Sequence, residues 1–153
     1  MHKGIILLVE ASDKGEAINK ADGFIEDTAN RGDDNIDWGE VGGRWSDEIE
    51  GDAKPYNEVK DLVAEWEGAQ AKNLEGLKES FRESCKREDI ETITDLAETE
   101  HSYSLWLAGK LYKLKSKMFS TEISVFDLNE YHAGTEYLED TDNIWAVMID
   151  LHS

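Results

Sequence analysis

The most distinctive short motif in the sequence is Gly42-Gly43-Arg44-Trp45. Two consecutive glycines expose their backbone N–H groups beside a guanidinium, and such a group of donors can bind an anion or a carboxylate. The same residues also suit a tight hairpin turn, in which the arginine stacks on the tryptophan or pairs with an acid. Because glycine pairs are common in turns, the motif by itself favours the structural interpretation.

A second candidate pair consists of Asp150 and His152, which are two positions apart. On a β-strand, that spacing places both side chains on one face, where a carboxylate can orient an imidazole as a general base or share a metal ion with it. A histidine at such a position can equally be a solvated surface residue. No catalytic residue and no metal site is therefore predicted. The candidate binding residues are Gly42, Gly43, Arg44, Trp45, Asp150 and His152.

Three other groups carry weaker signals. Glu98 and His101 have the spacing of a carboxylate-bridged metal site, but such sites need a second copy of the motif facing the first. His132 and Glu136 fall in a predicted loop, and Cys85 is predicted to be a half-buried helix cysteine despite its basic neighbours. The sequence contains no nucleophile elbow, phosphate loop or dinucleotide fingerprint. We expect no cofactor, and the sequence argues against an enzyme without excluding one.

The elements that must position these residues follow from the spacing of apolar side chains. The predicted strands cover about residues 4–11, 36–49 (two short strands around Gly42-Gly43), 121–128 and 143–152. The predicted helices run from a cap at Ser12 or Asp13 to about Asn30, from Tyr56 to about Lys86, and from about Arg87 to Met118. Glycine disfavours helix interiors, so Gly68 and Gly76 are the positions at which the second helix could break.

This order of elements predicts a single acidic α+β domain over residues 1–153. We expect a mostly antiparallel sheet of about five strands, with helices packed on one face and a central helical insertion. In the last strand, the alternation places one set of side chains opposite another. The first set is Trp145, Val147, Ile149 and Leu151, and the second is Ala146, Met148, Asp150 and His152.

The charge of the chain restricts its partners. With 35 acidic and 16 basic residues, the formal net charge is −19, which disfavours direct binding to nucleic acid or to an anionic membrane and favours a basic protein partner. The segment 110–117 holds four lysines and no acid, so it is either a solvated helix face or a contact with acidic surface, including that of a second copy in a homo-oligomer.

The single cysteine excludes an intrachain disulfide and indicates a cytoplasmic protein.

Two parts of the chain together resemble a family of small, uncharacterised proteins encoded by tailed bacteriophages. The first part is the segment 37–46, Asp-Trp-Gly-Glu-Val-Gly-Gly-Arg-Trp-Ser, and the second is the terminal strand 147–152, Val-Met-Ile-Asp-Leu-His. Family members combine a Gly-Gly-Arg-Trp motif with a closing Val-Asp-x-His strand. The apolar run Ile5 to Val9 also fits the family, which starts on an apolar strand.

The resemblance implies a viral accessory protein that acts in the cytoplasm of the infected host cell. It further implies that Arg44, Trp45, Asp150 and His152 converge, for example through pairing of Arg44 with Asp150 across adjacent strands. We therefore expect a non-enzymatic, anti-defence type of inhibitor whose acidic surface binds a basic host protein, such as a nucleic-acid-binding or defence factor. The alternative is a small ligand-binding protein or enzyme that uses Arg44, Asp150 and His152.

Overall fold

The computed structural model of the chain describes residues 2–31, 36–87, 123–138 and 140–152. The strands are β1 (His2–Glu10), β2 (Trp38–Val41), β3 (Ala53–Pro55), β4 (Ile123–Asp127), β5 (His132–Ala133) and β6 (Ile144–His152). The helices are α1 (Lys14–Arg31) and α2 (Tyr56–Arg87), and Gly43–Trp45 form one turn of 3-10 helix. The predicted helix 87–118, with Glu98, His101 and the lysine segment 110–117, lies outside the described residues, as does the Cys85 side chain.

The backbone contacts group the chain into two compact units, Met1–Gln70 with Glu122–Ser153, and Ala71–Thr121. The first unit contains all six strands and α1, and of the second the structure describes only the C-terminal part of α2. That all 153 residues form one domain stays a prediction. Among the described residues, no helix combines the length and apolarity needed to cross a membrane.

The six strands form one sheet in the order β2-β6-β1-β4-β5, and β3 also pairs with β6. β1 runs antiparallel to β6 along its whole length, from His2 opposite His152 to Glu10 opposite Ile144. Only the pairing of β1 with β4 is parallel among these strands. The predicted α+β class and the mostly antiparallel sheet are therefore confirmed.

The sheet is covered by helices on both faces rather than on one. One core packs α1 against alternate residues of the two longest strands, namely Leu7, Val9, Val147, Ile149 and Leu151. The other core packs Val63 and Trp66 of α2 against Ile6, Leu8, Ala146 and Met148. Because β1 and β6 are apolar on both faces, a single layer of helices would leave one of those faces in water, and burying the second face removes that cost.

The start of α1 confirms the predicted cap. The Asp13 side chain accepts the backbone N–H of Glu16 at 2.9 Å, while the Glu16 carboxylate accepts both the backbone N–H and the hydroxyl of Ser12, at 2.9 and 2.7 Å. These bonds satisfy donors that the first turn of a helix leaves without partners. The two bonds from Ser12 also hold the pKa of Glu16 at about 2, below its ordinary value of 4.5.

The long helix α2 confirms the prediction for residues 56–86, but its kink is elsewhere. The backbone of Val59 has φ −125° and ψ 15°, which is not helical, so the helix axis changes direction in the first turn rather than at Gly68 or Gly76. Pro55 immediately precedes the helix, and it suits this position because proline has no N–H to leave unpaired.

The predicted hairpin around Gly42-Gly43 is wrong, because β2 and β3 do not pair with each other. Both pair with β6, one after the other along the same edge. At the junction, the Gly42 N–H donates to the Met148 carbonyl at 2.7 Å, and the Met148 N–H donates to the Asp52 carbonyl at 2.8 Å. The edge strand is thus interrupted, and residues 43–51 form a loop that we call the excursion.

The excursion leaves the edge of the sheet because its apolar residues are buried against the sheet face that α2 covers. The Trp45 ring lies across Gly4 and meets Trp66 edge-on, with ring centroids 5.7 Å apart, and Ile49 is fully buried. Gly42 and Gly43 have φ angles of 76° and 55°, as a turn requires. The chain then continues into the 3-10 turn instead of returning as a paired strand.

Candidate functional site

Three ring side chains from three neighbouring strands pack against one another at one end of the sheet, with the ring centroids of the outer two, His2 and Trp38, 5.7 Å apart. His152 of β6 stands opposite His2 of β1 and opposite Trp38 of β2. The ring centroids of His2 and His152 are 5.0 Å apart, and the Trp38 ring stacks on His152 at 5.4 Å with the planes 14° apart. Because side chains alternate along a strand, this aromatic row (His2, His152 and Trp38) is on the same face as Met148.

Next to the aromatic row, Asp150 is a carboxylate that is only 1% exposed. The backbone N–H of Arg44 donates to its Oδ2 at 3.1 Å, and Nδ1 of His2 lies 3.0 and 3.1 Å from its two oxygens. Burial of an unpaired carboxylate is strongly unfavourable, so these contacts are what allow Asp150 to lie beneath the excursion. Asp150 thereby fixes both the 3-10 turn and the His2 ring.

The second imidazole also has an aspartate partner. Nδ1 of His152 lies 2.7 Å from Oδ1 of Asp37, an exposed residue just before β2. This hydrogen bond lowers the pKa of Asp37 below its ordinary value. Both histidines therefore face a carboxylate through Nδ1. An imidazole that donates through Nδ1 in its neutral form has its lone pair on Nε2, which is the nitrogen that can then accept or deliver a proton.

The six residues predicted from the sequence have different positions in this arrangement. Asp150 and His152 belong to the site. Gly43 and Arg44 contribute backbone, since the contact of Arg44 with Asp150 is made by its amide and not by its guanidinium, which is exposed. Gly42 and Trp45 shape the excursion. The indole Nε1 of Trp45 is buried without a hydrogen-bond partner among the described residues.

The sequence reasoning missed His2, Asp37 and Trp38 as site residues. The first predicted strand began at Gly4, although an extension by two residues would have placed His2 on the face of Gly4 and Ile6. Pairing of that strand with the last one would then have brought His2 beside Asp150 and His152, across 148 positions of sequence. The sequence carries no such signal for Trp38, because its exposure depends on the position of β2 at the edge of the sheet.

A second group of polar residues lies at the other end of the sheet, in an open cavity of about 340 Å³. Its carboxylates come from Glu10, Asp127, Glu130 and Asp140, and the ring of Tyr137 also lines it. Asp127 is buried and accepts the Asn129 N–H at 2.9 Å. In the part of the chain that the structure describes, no three metal-binding side chains are arranged to hold an ion.

Comparison of the chain with protein-family models, with curated proteins and with solved structures finds no match. The resemblance to the tailed-phage family therefore stays a prediction that rests on the Gly-Gly-Arg-Trp motif and the terminal strand.

Proposed function

We propose that this chain is a small ligand-binding protein whose ligand binds at the aromatic row. The observation that carries the proposal is the pair His2 and His152, whose ring centroids are 5.0 Å apart and whose Nδ1 atoms each face an aspartate. Two imidazoles that carboxylates hold side by side present a rigid polar and aromatic surface to which a ligand can bind.

The aspartates that hold the two imidazole rings differ in burial, so the two rings are held with different firmness. Asp150 is buried and fixed by the Arg44 amide, so it holds the His2 ring in one orientation. Asp37 is exposed, so the His152 ring is held by a contact that competes with water. A fixed His2 next to a more adaptable His152 would let the ring that contacts a ligand adjust while its neighbour stays in place.

The test is a fragment screen by NMR that follows the imidazole signals, with fragments of negative, zero and positive charge. Ligands of the site should shift the signals of His2 and His152 and leave those of His132, which lies on β5, unchanged. His2→Gln and His152→Gln, which keep a donor for the aspartates, should each weaken binding by about tenfold or more, in keeping with the loss of a charge-assisted hydrogen bond. His132→Gln is the matched control.

Stability measurements test the alternative that His2 and His152 have only a structural role. If the two substitutions lower the melting temperature by several degrees, and no fragment shifts either imidazole signal, then the aromatic row only fastens the ends of the strands and the proposal is wrong.

A second candidate function is inhibition of a basic host protein by a phage accessory protein. It is favoured by the exposed carboxylates of α2, where Glu58, Asp61 and Glu65 follow one another at helical spacing. Together with the net charge of −19, they form a surface that attracts cationic partners.

This candidate is tested by a pull-down from bacterial lysate with stepped salt elution. The combined variant Glu58→Gln, Asp61→Asn, Glu65→Gln should release the partner at lower salt than the wild type. Neutralising Asp22 and Glu26 of α1 is the control. A complex that resists salt well above physiological ionic strength, where the screening length is about 8 Å, would contradict recognition by charge.

A further inference from the structure

Two of the carboxylates near the aromatic row, those of Glu40 and Asp150, lie close together. Oε1 of Glu40 and Oδ2 of Asp150 lie 3.0 and 2.9 Å from the position that a Cβ on Gly43 would take. The two carboxylates are therefore neighbours, and the missing side chain of Gly43 gives them room. Asp150 has partners in His2 and the Arg44 amide, whereas Glu40 adds a second negative group at the same corner, facing solvent.

Trp38 adds an aromatic surface beside these carboxylates. Trp38 is 42% exposed although the His152 ring stacks on it and the His2 ring packs edge-on against it. Glu40 is two residues further along β2 and so projects from the same face, about 7 Å away. Asp37, on the other side, is held near the row by His152. A partly exposed indole with carboxylates near it can bind a cation, because the aromatic ring and the anions attract it together.

An anionic ligand is disfavoured at this place. It would approach the carboxylates of Asp37, Glu40 and Asp150, and each of them would repel it. The net charge of −19 adds to this repulsion at longer range. The same field raises the local concentration of cations.

We infer that the ligand of the aromatic row is a cation, a guanidinium or ammonium group that rests on Trp38 and is held by the carboxylates of Glu40 and Asp37. This inference rests on the proposed function, because it assigns the ligand class of the same site. The cation comes either from a free amine or from a basic side chain of a protein partner.

The experiment compares three matched probes at constant ionic strength: the amides of N-acetyl-arginine, of N-acetyl-citrulline and of N-acetyl-glutamate. Citrulline replaces the guanidinium with a neutral urea of the same shape. Chemical shifts of the Trp38 indole N–H, assigned from Trp38→Phe, and of the His2 and His152 rings report on the site. The arginine probe should bind about tenfold more tightly than the citrulline probe, as expected for a cation on an indole beside a carboxylate.

Two variants test the assignment of the residues. Glu40→Gln should reduce the preference for arginine over citrulline by several-fold, and Glu26→Gln, an exposed acid on α1, should leave it unchanged. Trp38→Leu should abolish binding of the arginine probe, while Trp38→Phe retains a weaker cation site and shows that the fold tolerates the change. Equal responses of Glu40→Gln and Glu26→Gln would overturn the inference.

The outcomes separate the inference from the proposed function. If the citrulline or glutamate probe shifts the histidine signals at least as strongly as the arginine probe, the site binds ligands but the ligand class is wrong. If no probe and no fragment shifts these signals, both proposals fail. A comparison of agmatine with a short arginine-containing peptide identifies the source: tighter binding of agmatine indicates a free amine, and tighter binding of the peptide indicates a protein partner.

Discussion

At the scale of residues, the arrangement of the site depends on how individual carboxylates are satisfied. Asp150 is buried with two partners, and this explains why one residue can connect the excursion to His2. The Asp52 side chain is the opposite case, since its Oδ1 is buried with no hydrogen-bond partner among the described residues. Asp52 also adopts a φ of 66°, a left-handed conformation that aspartate tolerates better than most residues.

Part of this residue-scale picture could be predicted. The spacing of Asp150 and His152 was enough to place them on one face of a strand, because alternation is a property of the strand itself. The contact between Arg44 and Asp150 could not be predicted in its actual form, since it uses a backbone amide that any residue would provide. The contribution of His2 depends on the register between the first and last strands, which neither strand encodes alone.

Glu16 provides a residue-scale prediction about pH. Its pKa of about 2 in the folded chain, against 4.5 ordinarily, is due first to the hydrogen bonds from Ser12. A carboxyl whose pKa is lowered by folding stabilises the fold above its unfolded value, and this contribution is lost as the pH falls from about 4.5 towards about 2. In Ser12→Ala, an NMR titration of the Glu16 carboxyl carbon should give a pKa closer to 4.5.

The Asp13→Ala variant serves as the comparison, because it removes the bond to the Glu16 amide without touching the Glu16 carboxylate. It should lower helix stability by about 1 kcal/mol with a smaller change in the Glu16 titration. Ser12→Ala removes only the hydroxyl and keeps the backbone N–H, so an identical titration of Glu16 in the wild type and in this variant would show that the hydroxyl does not contribute to the lowered pKa.

At the scale of elements, long periodic segments were predictable and short irregular ones were not. β1, α1, α2, β4 and β6 are all found where the apolar spacing predicted them, because their apolar side chains among the described residues pack into one of the two cores. The prediction of a second hairpin strand after Gly43 was wrong because Trp45 and Ile49 have the spacing of a strand but pack against Trp66 and the sheet face. β3, with three residues, is too short for any period to be visible.

Gly43 gives an element-scale prediction about the excursion. It has a φ of 55°, and a Cβ there would lie 2.6 Å from the Cβ of Asp150. Gly43→Ala therefore combines backbone strain with a collision against a buried residue, and it should lower the free energy of unfolding by about 2–4 kcal/mol in urea denaturation. The imidazole signals of His2 should shift as well, because Asp150 must move.

Gly68→Ala in α2 is the matched control. No atom lies within 4 Å of the position of its Cβ, so the substitution should raise stability by up to about 1 kcal/mol through better helix propensity. If both variants changed stability in the same direction and by the same amount, the special geometry of Gly43 would not be what holds the excursion.

At the scale of the whole molecule, charge is the dominant property. A net charge of −19 means that like charges repel one another in the compact state. The described ion pairs do little to offset this, because Lys20–Glu16, Lys54–Glu50 and Lys78–Glu75 all lie at the surface, and such pairs contribute about 0–1 kcal/mol.

The corresponding prediction is that salt stabilises the protein. Between about 0.01 M and about 0.15 M salt the screening length falls from about 30 Å to about 8 Å, so repulsion between distant carboxylates weakens more than attraction within close pairs. The melting temperature at pH 7 should rise by several degrees over this range, with NaCl and KCl giving the same increase. A falling melting temperature would mean that ion pairs outweigh the net repulsion.

The interrupted edge strand has a consequence for how copies of the protein meet. In the part of the chain that the structure describes, the sheet ends on one side in β2 and β3, with four and three residues, and on the other in β5, with two. β3 ends in Pro55, which cannot donate a hydrogen bond. Strands this short offer a neighbouring chain few groups to pair with, so these edges resist the strand-to-strand aggregation that long, flat edges invite.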